Sequence, residues 1–262
     1  MIIVIFFLIS LIASTIGAIA GIGGGVIIKP AMDAFQILPV STISFLSGCT
    51  VLAMSLYSVS QAVCSGDNYL SGRSAIPLGV GAAIGGVVGK ELFKRLSAMF
   101  TQADTVGSVQ SACLLLVTLL TFFYTIYTGK IATRNVRNPL LSVLIGLVMG
   151  MLSAFLGIGG GPINLMVLSY FFSMDIKVAA QNSLMVILLS QIASLATTLI
   201  TRTVPAFSPL LLCLMVCGGI LGGVFGRILN KRMRAEHVRI LYCGTMIVII
   251  LLSLKNMISY LA

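Results

Sequence analysis

Stretches of roughly 18 or more mostly apolar residues recur along this chain, the length an α-helix needs to cross the hydrocarbon core of a bilayer. Eight such segments are read at about 2–28, 42–65, 74–95, 107–128, 139–170, 178–201, 207–229 and 238–260. The connections are short, with Gly129–Lys130, Asn138–Pro139 and Pro205 marking three boundaries. Charge agrees with this reading. Only 8% of the 262 residues are charged, against about 25% in a soluble domain. The chain is therefore expected to be an all-α, polytopic membrane protein with no room for a soluble domain. Its net charge of +10 reads as loop charge that sets orientation and meets anionic head groups, not as a nucleic-acid surface.

The six cysteines (Cys49, Cys64, Cys113, Cys213, Cys217 and Cys243) lie in or beside apolar runs, where free Cys behaves as a small apolar residue. No disulfide framework is expected. Cys213 and Cys217 share a helix face, but a metal needs more ligands, and the single histidine, His237, stands in a charged loop. No metal and no cofactor is expected.

The chain repeats itself. GIGGG occurs at Gly21–Gly25 and again at Gly157–Gly161, an offset that GGVVGK at Gly85–Lys90 and GGVFGR at Gly222–Arg227 nearly reproduce. The reading is of two homologous halves of four segments each, 1–128 and 139–262, joined by a basic linker at 129–138. Residues 1–20 resemble a signal peptide with Ala18-Ile19-Ala20 as its cleavage site, but no charged n-region precedes them. Their counterpart lies in mid-chain, so they are read as the first membrane segment.

If all eight segments span, the two halves point the same way. One side then collects Lys29, Lys90, Lys94, Arg95, Lys177, Arg227, Lys231, Arg232, Arg234 and Arg239, and the other Arg73, Lys130, Arg134, Arg137, Arg202 and Lys255. The excess of Lys and Arg places both termini outside, although the basic cluster at 130–137 opposes this. If GIGGG instead marks re-entrant hairpins, the number of spans changes and the halves can be inverted.

Four glycines in five residues do not stay helical, each costing about 1 kcal/mol relative to Ala. A helix broken at membrane depth is tolerated where it is buried in protein or lines a watery cavity. Pro162 follows the second motif and suits the first turn of a new helix. The first helix of each half is therefore expected to break at GIGGG, with a second helix starting near Val26 or Pro162. Such a start offers free N–H groups and the positive end of a dipole, and glycine lets a ligand approach closely. The expected substrate-binding residues are Gly21, Gly23, Gly24, Gly25, Gly157, Gly159, Gly160, Gly161 and Pro162, two helix starts that could form one anion site between the halves. The competing reading is close helix packing.

Packing is the expectation for two other glycine rows, Gly81, Gly85, Gly89 and Gly218, Gly222, Gly226, each spaced by four. Gly89–Lys90 is not a Walker A loop, because Ile84 and Glu91 stand where Gly and Ser/Thr would. A polar stripe, Ser183, Ser190, Ser194, Thr197 and Thr201, follows one helical face, and Ser47, Ser58, Gln61 and Ser65 answer it in the first half. It can line a hydrated path, join helices as hydrogen-bonding glue, or bond back to its own helix. Ser47, Asn182 and Ser183 join the expected substrate contacts, Asn182 because its amide both donates and accepts. Lys29 and Asp33 stand at ion-pair spacing and are replaced together in the second half by Leu165 and Ser169. They read as a local charge pair, with Asp33 the candidate for proton coupling.

Two copies of G-x-G-G-G, each followed by a helix and an Ala/Ser-rich segment, resemble the sulfite exporter TauE/SafE family, also called the TSUP anion transporters. The second copy, GIGGGPINLMVLSYFFSMDIKVAAQNSLMVILLSQ at 157–191, is the better match. Ala180–Ser183 is similar to that family's small-x-Thr-Ser pattern, with Asn182 where Thr is commoner, and the first half departs at Ser44–Ser47. The resemblance implies a secondary carrier of small sulfur-containing anions such as sulfite, sulfoacetate or other organosulfonates, working by alternating access, with the glycine motifs near the substrate. The expected partners are a small anion and the lipid bilayer, with no nucleic acid, and a homo-oligomer is left open. The expected location is the cell membrane as a multi-pass protein, the inner membrane in a bacterium. Two other classes stay in view, a non-transporting subunit of a larger assembly and an intramembrane enzyme. The latter has neither a membrane histidine, nor an acid pair at helical spacing, nor a G-x-S-x-G elbow to work with.

Overall fold

The structure, a computed structural model, describes residues 2–66, 72–99, 103–128, 131–156, 158 and 160–261. Among the described residues ten helices follow one another: α1 (Ile2–Ala20), α2 (Gly25–Asp33), α3 (Val40–Cys64), α4 (Gly72–Met99), α5 (Ala103–Tyr127), α6 (Pro139–Leu156), α7 (Pro162–Phe172), α8 (Ile176–Ile200), α9 (Pro209–Arg232) and α10 (Ala235–Leu261). Eight are long and apolar enough to cross a membrane, and α2 and α7 are short. The bundle's outside is apolar, with Leu116, Leu120 and Leu251 exposed, which is a lipid face and not a water face. The described cysteines are free thiols.

The break in α1/α2 makes a hairpin. Gly24 lies against Ser14, and the Phe35 ring meets Phe6 with centroids 6.0 Å apart. After α1 the chain thus turns back along itself, and α3 starts from the face at which α1 started. That return sets every later direction.

The glycine rows set the helix pairing, and they do so by packing. A Cβ on Gly85 would stand 2.0 Å from the Leu147 carbonyl oxygen, and one on Gly222 would stand 2.7 Å from that of Leu11. Only glycine lets α4 seat on α6 and α9 on α1 this closely. Gly81 faces Val143 and Gly89 faces Met151, while Gly218 faces Phe7 and Gly226 faces Ala18. Position therefore rises with position in both pairs, and each pair runs parallel.

α4 also runs parallel to α8, with Gly79 against Leu189 and Lys90 bonded to Thr198, and α8 turns back into α9 through 201–208; since α9 is parallel to α1 and α6 to α4, α6 runs opposite to α1. The stretch that opens with α6 therefore runs in the opposite direction to the stretch that opens with α1. These directions match the re-entrant alternative for GIGGG, because α2 and α7 each add a reversal of the chain. α5 and α10 pair antiparallel, with Arg239 bonded to the Thr125 carbonyl near one end and Gly107 against Tyr260 at the other.

The two faces of the bundle are sorted anew. The face that carries the linker holds Arg73, Arg134, Arg137, Lys177, Arg227, Lys231, Arg232, Arg234 and Arg239. The face from which α1 starts holds Lys90, Lys94, Arg95, Arg202 and Lys255. Lys29 belongs to neither, being buried, and Lys130 lies outside the described residues. The cluster at 131–137, which opposed the sequence-based orientation, thus joins the basic side.

Candidate functional site

α1 ends as a helix does when glycine follows it. Gly21 has φ +71°, and the Ile22 N–H donates to the Gly17 carbonyl at 3.2 Å, the six-to-one bond of a Schellman end. The second half repeats it, Ile158 N–H to the Ser153 carbonyl at 3.3 Å. A side chain at Gly21 would also place its Cβ 2.2 Å from the Ala180 Cα, so both conformation and space demand glycine.

α2 then begins at Gly25, with the Ile27 and Ile28 N–H groups donating to the Gly24 carbonyl. In the second half Gly161, at φ 136°, leads into Pro162 at the first position of α7. Both helices start where the sequence places them. Gly157 and Gly159 lie outside the described residues.

The two breaks meet. A Cβ on Gly25 would be 2.6 Å from the Ile158 carbonyl oxygen, and one on Gly161 would be 2.9 Å from Val26. The Ile187 side chain touches both breaks, standing 3.2 Å from the Cβ position of Gly23 and 2.5 Å from that of Gly160. Val51 and Ile187 fall near the middle of α3 and α8, so the junction sits at mid-depth. α2 leaves it toward one face of the bundle and α7 toward the other. The positive ends of two helix dipoles therefore face one another across it.

One hydroxyl and one amide stand at the junction, and a second hydroxyl lies one turn away from Ile187 along α8. Ser47 Oγ lies 3.1 Å from the Cβ position of Gly25. Ser183, one turn before Ile187 on α8, and Asn164, in the first turn of α7, are buried. Their Oγ and Oδ1 atoms have no hydrogen-bond partner within the described part of the protein. The other side chains packed at the junction are apolar: Val26, Val51, Ile158 and Ile187. Such a site can hold the oxygens of a small anion by N–H and O–H groups, without a charged side chain.

Asn164 was missed by the sequence reading. Its signal was a polar residue in the otherwise apolar first turn PINL, but Ile28 stands at the corresponding place in the first half, so the repeat gave no support to it. Asn182, expected as a ligand contact, donates Nδ2 to the Val178 carbonyl of its own helix at 2.7 Å. Gly24 packs on α1, its Cβ position 2.9 Å from Ser14 Oγ.

The polar stripe divides between back-bonding and cation binding. Ser190, Thr197 and Thr201 bond carbonyls of α8 itself. Lys90 of α4 donates to the Ser194 carbonyl at 2.8 Å, and Arg227 of α9 donates to the Ser58 and Gln61 carbonyls at 3.1 and 2.9 Å. Lys90 stands toward the face from which α1 starts and Arg227 toward the linker face.

Lys29 and Asp33 stand near enough for each charge to act on the other, but the hydrogen bonds of Lys29 go elsewhere. Its ammonium donates to Gln110 Oε1 at 2.8 Å and to the Leu156 carbonyl, the last of α6, at 2.7 Å. No ion pair joins it to Asp33 among the described residues, and Asp33 Oδ1 has no hydrogen-bond partner there. A long side chain reached a helix C-terminus in the other half, where the dipole favours a cation.

The family model described as Sulfite exporter TauE/SafE matches residues 6–253. No curated protein and no solved structure matches.

Proposed function

The chain belongs to the sulfite exporter TauE/SafE family, and from that premise we propose that it is a secondary transporter of small sulfur-containing anions. Sulfite, sulfoacetate and other organosulfonates form the substrate class, carried by alternating access. The halves 1–128 and 139–262 act as homologous repeats joined at 129–138. The observation that carries the reading is the meeting, at mid-depth, of two glycine breaks with opposed helix starts. Discontinuous helices in corresponding positions of inverted repeats are the usual architecture of a transporter site.

In this reading the N–H groups at the starts of α2 and α7 bind the sulfite or sulfonate oxygens. Ser47, Ser183 and Asn164 supply the remaining contacts, and Gly21, Gly23, Gly160 and Pro162 shape the backbone around them. Gly157 and Gly159 complete the second motif. Asp33 is the carboxylate available for proton coupling. The more basic linker face is cytoplasmic, with both termini outside. The protein sits in a cell membrane, the inner membrane in a bacterium, and its partners are the anion and the lipid.

Flux into proteoliposomes of sulfite, sulfoacetate, thiosulfate and sulfate tests this. Transport of at least one is expected. No flux of any, from protein verified as folded, refutes it. Gly24→Leu and Gly160→Leu variants are expected to lose transport, and unchanged flux in both removes the site assignment.

A further inference from the structure

Each short helix lines a pocket, and the two pockets correspond. Lys29, Pro30 and Asp33 of α2 line one. Leu165, Met166 and Ser169 of α7, at the repeat offset from those three, line the other. Both pockets are walled by α5 and α10, but at opposite ends of that antiparallel pair. The α7 pocket reaches the linker face beside Asp175 and Glu236. The α2 pocket lies toward the opposite face, near Gly107 and Asn256.

They differ in one respect. The α7 pocket is a cavity of about 450 Å³. The α2 pocket is closed to about 10 Å³, barely the room one water takes. Hydrogen bonds drawn from four helices close it. Lys29 bonds Gln110 of α5 and the Leu156 carbonyl of α6. Gln110 Nε2 donates to the Phe155 carbonyl at 2.8 Å, and Asn256 of α10 donates to the Pro30 carbonyl at 3.0 Å. In the α7 pocket Leu165 stands where Lys29 would, and it can make no such bonds.

The closed pocket also holds groups that want solvent. Ser253 Oγ and Asp33 Oδ1 are buried there with no hydrogen-bond partner among the described residues, and each such group destabilises the closed arrangement. Two halves of one fold can exchange conformations, so a state with the α7 pocket shut and the α2 pocket open is close in free energy to this one.

We propose that the two pockets are half-channels opened alternately, that this structure is the state open to the linker face, and that Lys29 is the gate closing the opposite half-channel through Gln110 and the Leu156 carbonyl. Opening that side frees the Lys29 ammonium to face the path an anion takes. The inference rests on the transport reading above and adds to it the two routes and the residue that shuts one of them.

Ser169→Cys and Ser253→Cys, one in each pocket, test it. The protein is kept in sealed vesicles of both orientations and treated with a membrane-impermeant maleimide. The labelled site is located by peptide mass spectrometry, so the native cysteines stay in place. S169C is expected to label only from the linker face, and S253C only from the other face and more slowly. Adding Lys29→Met is expected to raise the S253C rate about tenfold or more and to lower the S169C rate, since a charge-assisted hydrogen bond that held one state is lost. Gln110→Leu removes the same tie and decides the matter if the Lys29 variant does not fold. Labelling of both sites from one face, or rates that stay fixed or move together, overturns the proposal. Anion flux is measured on the same vesicles. Opposite-face labelling without flux refutes the transport reading instead, whereas flux with same-face labelling refutes this one alone.

Discussion

A methyl group added at Gly25 tests whether the meeting of the two glycine breaks matters to function. The new Cβ would stand 2.6 Å from the Ile158 carbonyl oxygen, 3.0 Å from Val51 Cγ2 and 3.1 Å from Ser47 Oγ. The valine and serine can rotate away. The carbonyl cannot, because it is backbone held by the helix end at Ser153, so the two breaks have to separate by several tenths of an ångström. Overpacking of this kind costs about 1–3 kcal/mol, and alanine in place of glycine in a helix returns at most about 1 kcal/mol. The expected net loss is roughly 1 kcal/mol, a drop of about 2–4 °C in Tm for a chain of this size. Flux is expected to fall much further, about a hundredfold, because displacements of this order at a binding junction are amplified in rate. Gly86→Ala is the control: its Cβ would meet only the Ser190 carbonyl oxygen at 3.9 Å, so Tm should hold or rise and flux should not change. Thermal unfolding in detergent and proteoliposome flux, run on both variants, give the answer. Equal flux from Gly25→Ala and Gly86→Ala would show that the junction is not part of the transport path.

Three further outcomes are expected. Gly85→Val puts a branched side chain where a Cβ already stands 2.0 Å from the Leu147 carbonyl oxygen; α4 and α6 cannot then pack, and size-exclusion chromatography should show little folded protein. Tyr242→Phe removes the bond from the Tyr242 hydroxyl to the Pro162 carbonyl at 2.9 Å, lowering stability by about 0.5–1.5 kcal/mol in thermal unfolding. Arg227→Met leaves the Ser58 and Gln61 carbonyls without that donor and should cost about 1–3 kcal/mol, with Arg227→Lys recovering part of the lost Tm.

The apolar runs by themselves determined that the protein is a helical membrane bundle, because a run long enough to cross a bilayer leaves the backbone one way to satisfy its hydrogen bonds. GIGGG determined where α1 and α6 break, and Pro162 where α7 begins, because the conformational preferences of glycine and proline are local. The rows at Gly81–Gly89 and Gly218–Gly226 determined two packing seams by their spacing alone. Depth, direction and partners belonged to the tertiary structure. Whether the chain after GIGGG goes on across the membrane or turns back is a matter of where α2 packs, and no residue in the motif encodes it. Yet that return decides which way α6 and the later helices run, and it puts the linker cluster on the more basic face. Lys29 shows the same limit on a smaller scale. The i,i+4 spacing offered Asp33 as its partner, but a flexible four-carbon stem takes whichever acceptor burial brings near, and the fold brought Gln110 and the end of α6.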